Sequence, residues 1–199
     1  MGILYDQIYS VDNLRLAWVN AKKGKGKRRY VKRFQKNLNN NLLETQKELK
    51  EEIYYPRKLK KFILRDPKTR KISKSAFKDR VVHHSLCNSI VPIFEKSFIY
   101  DSHANQIGKG SHKALERFDK FKRKVSKNNT RICYILKADI QHYFEEINHY
   151  ILIRILKRKI DDERVIWLIR RIIRNHERER ERERERVAFR LPGQIIVIS

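Results

Sequence analysis

The apolar run inside RICYILKADI (131–140) constrains the fold of this chain most strongly. It is short, lacks helical spacing and follows the turn-like SKNNT, so it reads as a buried strand with Asp139 at its carboxyl end. Most of what surrounds it has helical periodicity. Leu4, Ile8, Val11, Leu14 and Trp18 recur every three to four residues across 4–20. Val31, Phe34, Leu38, Leu42, Leu49 and Ile53 mark a second amphipathic helix that ends before Pro56. KKFILRD, the turn signal DPKTRK and a run resuming at Ile72 predict a β-hairpin. Helices are expected again over 78–98, where Pro92 can kink or divide the helix and Asp79 suits the dipole of the first turn. Others are expected after the loop SHANQIGKGSHKA, with Leu115, Phe118, Phe121 and Val125 facing inward, and over 149–159 and 161–175. Hairpin, helices and one buried strand make the expected class α+β, helix-rich.

Charge narrows the partner. The 199 residues hold 48 Lys and Arg against 23 Asp and Glu, a net charge of +25, which points to a polyanion, with nucleic acid the default. A ribosomal or membrane-surface protein would share that charge. The stretch AKKGKGKRRYVKR (21–33) is suited to phosphates as an arm, or to solvent as a loop. With 40% apolar residues there is material for a core, so wholesale disorder is excluded. Cys87 and Cys133 form no CxxC pair, which argues against zinc and for buried free thiols in a reducing compartment. The start lacks the layout of a signal peptide, and no apolar run approaches the roughly 18 residues of a membrane span, so a cytoplasmic protein without a membrane partner is expected.

Chemistry concentrates in YILKADIQHYFEEINH (134–149). A carboxylate at the end of a buried strand can ligate magnesium, which takes one or two carboxylates plus substrate phosphates. The same residue could equally cap the following helix.

The segment resembles the first catalytic motif of reverse transcriptases: an Asp, an apolar residue and an aromatic pair, then I-x-H. Upstream, FKDRVVHHSLCNSIVPIFEKSFIYDSHANQIGKGSHKALERF (77–118) is similar to the fingers of group II intron-like and diversity-generating retroelement enzymes, in its D-R-V-V, P-I-F-E and Gly-Lys-Gly blocks and their order. The likeness spans about residues 30–175. It implies part of a right-hand polymerase fold: a basic helical region at 1–56, fingers at 57–130, a partial palm at 131–176 and a low-complexity tail at 177–199. It further implies RNA-directed DNA polymerisation with Mg2+, an RNA template, a DNA primer and product, dNTP substrates and, in one subgroup, a small basic accessory protein.

Carried over by position, Asp139 and the Ile140 carbonyl would ligate the metals. Phe144 falls where the family packs a residue against the nucleotide sugar, although plain core packing would serve equally. Arg70 matches the fingers arginine that grips the triphosphate, and Lys61 on the preceding strand would be its companion. Arg80 and Lys109, in the Gly108–Gly110 loop, would support the template or the fold.

The departures are specific. Glu145 and Glu146 follow the aromatic pair, Asn148 stands where Asp is common, and no [YF]-x-D-D occurs in the 199 residues. The five-fold Glu-Arg repeat (177–186) could be encoded by a (GA)n tract, where a slipped reading frame would replace the continuation. A chain without that second acidic motif is expected to be inactive alone. The alternative is a nucleic-acid-binding module that keeps the fingers surface without polymerising.

Overall fold

The computed structural model describes residues 3–67, 69–140 and 143–175. Its elements run α1 (Ile3–Tyr9), α2 (Val11–Lys22), α3 (Arg29–Lys36), α4 (Leu38–Lys50), β1 (Lys60–Arg65), β2 (Thr69–Lys74), α5 (Phe77–Glu95), α6 (Ser111–Val125), α7 (Tyr143–Glu146) and α8 (His149–Lys157). A further helix, α9, covers 163–175. The class is α+β, helix-rich, with a two-stranded antiparallel sheet. None of the described helices is long and apolar enough to cross a membrane.

Two compact units divide the described residues: those within 3–92 together with 149–175, and those within 93–148. In the first, each helix contributes its apolar stripe to one core. Tyr5 and Ile8 of α1, Leu14 and Ala17 of α2, Leu42 and Leu49 of α4, Val81 and Val82 of α5 and Leu168 of α9 are fully buried. At roughly 1.5–3 kcal/mol for each large aliphatic side chain, this burial is the main stabilising term of the unit. The long helix expected across 4–20 is two, because the Ser10 side chain accepts from the Asn13 N–H (3.3 Å) and caps a fresh start. Likewise the second amphipathic segment breaks at Asn37 into α3 and α4.

Polar contacts lock the register of this packing. Tyr5 donates its hydroxyl to the Leu49 carbonyl (2.7 Å) and its N–H to Asp162 (2.9 Å). The Asp162 carboxylate also accepts from the Arg164 N–H (3.1 Å), capping α9. Arg164 in turn reaches Glu52 (2.8 Å) and lies 4.3 Å from the Tyr5 ring. Between α2 and α5, the Asn13 amide donates to both the carbonyl and the hydroxyl of Ser85.

In the second unit α6 forms as expected, but its apolar face does not pack: Leu115, Phe118, Phe121 and Val125 are all exposed. The strand expected in RICYILKADI is also absent. Residues 132–140 carry no regular structure, and Ile132, Tyr134 and Leu136 are 86%, 94% and 93% exposed. A strand exists only where a neighbour accepts and donates its backbone hydrogen bonds, and the described residues supply no partner for this one. Nor are the cysteines buried thiols: Cys87 is exposed on α5, and Cys133 is half-buried within that irregular run. The tail from 176, with its Glu-Arg repeat, lies outside the described residues.

Candidate nucleic-acid interface

The hairpin and α5 are joined by a buried polar latch. After α4, the chain runs through Tyr54 to Arg57 before entering β1. The Tyr54 hydroxyl donates to one oxygen of the buried Asp79 carboxylate (2.9 Å), and the Arg57 N–H donates to the other (3.0 Å). Burial pushes the Asp79 carboxyl up. The Tyr54 hydroxyl, the Arg57 N–H and the charges of Arg57 and Lys78 pull it down without fully offsetting burial. Burial and the facing carboxylate together hold the Tyr54 phenol well above its ordinary range. Asp79 therefore does more than complement a helix dipole: it fixes where the first leg of the hairpin begins.

Around that latch opens a cavity of about 600 Å3, lined by α3, the start of α4, both roots of the hairpin and the first turn of α5. Seven cationic residues line it: Arg33, Arg57, Lys58, Lys60, Lys74, Lys78 and Arg80. So do the rings of Tyr30, Phe34 and Phe77 and a single carboxylate, Glu44. Lys78 is bound to Glu48 (2.7 Å) and lies 3.6 Å from Glu44, so it is largely neutralised. The rings pack edge to face, Phe34 against Phe77 at 5.2 Å. Arg80 lies over Tyr30 (5.0 Å) and Phe77 (5.2 Å), and Lys74 over Tyr30 (4.3 Å). Partial burial pushes the Tyr30 hydroxyl up, but Arg80 and Lys74 outweigh it and leave it below its ordinary value. Cations held on aromatic faces keep their N–H groups available to an anion, and the half-buried rings of Tyr30 and Phe34 leave part of their surface open to the cavity.

The hairpin adds a second basic surface. Its register pairs Lys60 with Lys74, Lys61 with Ser73 and Leu64 with Arg70. Side chains alternate between faces along a strand, so Arg70 shares its face with Lys60 and Lys74, whereas Lys61 stands on the opposite one. The cations on the same face as Arg70 are thus those that also line the cavity at the hairpin's roots, a relation that spacing alone did not reveal.

The remaining predicted residues belong to the second unit. Asp139 and Ile140 are exposed in the irregular run. Phe144 lies in α7, and its side chain is outside the described residues. Lys109 is engaged within its own loop, donating to the carbonyls of Tyr100 (2.7 Å) and Ser102 (3.1 Å). No group of three or more His, Cys, Asp or Glu side chains gathers among the described residues. One carboxylate and one carbonyl are too small a donor set for two magnesium ions, so no step of a metal-dependent reaction follows from the described residues.

No family model matches the chain. Over 107 residues, 54% of its length, it is 24% identical to Protein YkfC of Escherichia coli (strain K12). That stretch covers 28% of the relative, so the chain spans little more than a quarter of the curated protein it matches.

Proposed function

We propose that this chain is the fingers and the beginning of the palm of a reverse-transcriptase-type polymerase, and that its own contribution is to hold the phosphate backbone of an RNA template or its RNA–DNA hybrid. The cavity between α3, the hairpin and α5 carries the reading, with seven cationic residues and three rings around one carboxylate. The net charge of +25 supports it, as does the ordered run of motifs from Asp79-Arg80-Val81-Val82 to Asp139. Phosphates would lie along Arg57, Lys60 and Arg80, with Arg70 extending the track up the hairpin. Magnesium-dependent polymerisation would need further carboxylates beside Asp139.

A non-polymerising binding module is the second reading. It is favoured by the exposed, irregular setting of Asp139. Two measurements test what the readings share, nucleic-acid binding without catalysis by the chain alone. The chain should bind an RNA–DNA primer-template with an affinity that falls steeply with salt, by about 0.9 in log–log slope for each phosphate contact on a duplex and somewhat less on a single strand. Primer extension with magnesium should show no incorporation by the chain alone. Incorporation abolished by Asp139→Asn would make the chain a polymerase in its own right, and binding indifferent to salt would overturn both readings.

A further inference from the structure

A second basic cavity lies in the same unit, between α8 and α9, and shares no lining residue with the first. Its volume is about 460 Å3, within the roughly 300–1,000 Å3 of small-molecule sites. Arg154 and Lys157, one turn apart on α8, line it together with Arg170 and Arg174, one turn apart on α9. Ile153 and Ile173 supply apolar lining, and His149 and Tyr150, the latter 76% exposed, complete the wall. No carboxylate lines the cavity. Lys157 is paired with Glu163, whereas among the described residues no carboxylate pairs with Arg154, Arg170 or Arg174.

Packing α8 against α9 brings these guanidiniums around one space, where a bound anion would relieve their mutual repulsion more fully than solvent does. The helices are not placed loosely: Ile153, Val165, Ile166 and Leu168 are buried, and Asp162 fixes the start of α9 through the backbone of Tyr5 and Arg164. Guanidinium forks match the paired oxygens of phosphate as they do those of carboxylate, and an exposed tyrosine ring beside them suits a nucleobase.

We infer that the α8–α9 cavity is a nucleotide-phosphate site, with Arg154, Arg170 and Arg174 on the phosphate and Tyr150 against the base. The inference stands apart from the reading of the first groove. The phosphate can come from a free nucleotide or from a unit of a single-stranded RNA, and the test separates these sources. The full chain and its Arg154→Gln/Arg170→Gln variant are titrated with ATP and with a ten-residue oligouridylate across a salt series.

If the phosphate belongs to RNA, the variant's log–log salt slope falls by about 1.4, two charges on a single strand, with the oligouridylate. If it belongs to a free nucleotide, ATP affinity drops at least tenfold while RNA binding holds. Unchanged binding of both overturns the site. An Arg57→Gln/Arg80→Gln variant run in parallel reports on the first groove alone, so failure of one site is distinguishable from failure of the other. Should the α8–α9 variant fail to fold, phenylglyoxal labelling of the unaltered chain decides: ATP or oligouridylate must protect Arg154 and Arg170, and equal labelling with and without both ligands overturns the proposal.

Discussion

The two units are similar in sequence texture and opposite in outcome. Residues 4–20 and 111–125 both carry large apolar side chains at helical spacing, and both form helices. In the first unit Tyr5, Ile8, Leu14 and Trp18 are buried in the helical core, whereas among the described residues of 93–148 no apolar side chain is buried. Periodicity specifies which face a helix would bury. Burial itself requires a second surface, and only the first unit contains enough facing elements to provide one. A truncation at one buried position and the same truncation on α6 are therefore not equivalent.

The largest effect expected from that contrast is in the core. Leu49→Ala should cost about 2–5 kcal/mol in urea unfolding, because it opens a cavity among fully buried neighbours. Leu115→Ala should change stability by no more than about 0.5 kcal/mol. Equal losses at the two positions would break the comparison. Next comes the latch. Tyr54→Phe removes one donor from a buried carboxylate and should cost about 1–3 kcal/mol, read as a lower urea midpoint at unchanged slope.

A pH dependence follows from His83 on α5, whose imidazole burial pushes down to about 4 from 6.5, with His84 and Arg80 adding to the shift. The folded state resists protonation that the unfolded chain accepts. The contribution of His83 is thus whole above pH 6.5 and drains away as the pH falls toward 4. Asp79 acts in the other direction, so the useful quantity is a difference between chains. Urea midpoints of the native chain should fall more steeply with acid than those of His83→Gln, and parallel curves would contradict the half-buried setting.

The smallest effect sharpens the contrast at the level of function. Arg80→Gln should lower the salt slope of RNA binding by about 0.7, the share of one phosphate contact on a single strand. Lys109→Gln should lower it by less, because that ammonium is held on two carbonyls of its own loop.

What could be read from the residues alone followed the range of the interactions involved. The hairpin was legible because its signal lies within a few residues: a β-rich run, an Asp-Pro turn and Ile72 on the return. The helices were legible from their stripes, except where a single side chain such as Ser10 ended one and began another. The run at 131–140 misled, since its composition suits a strand while strand formation depends on neighbours elsewhere in the chain. Of the site, Arg70 and Arg80 were visible as basic residues in a recognisable order. Their setting was not, because Asp79 finds Tyr54 across 25 positions and Tyr30 meets Arg80 across 50.

The manner in which the hairpin is rooted has a mechanical consequence. One leg leaves from the residues that Asp79 grips, and the other runs through Ser75 and Ala76 straight into α5. Both legs are therefore pinned to the same helical turn, and the ribbon can swing only by dragging that turn or by breaking the Asp79 grip. Pull from a polyanion at Arg70 would be felt at Val81 and Val82 in the core. Extra residues spliced in at the tip, around Pro67, should be harmless passengers, whereas a single residue added between Tyr54 and Lys60 would slacken the mooring and spoil the groove.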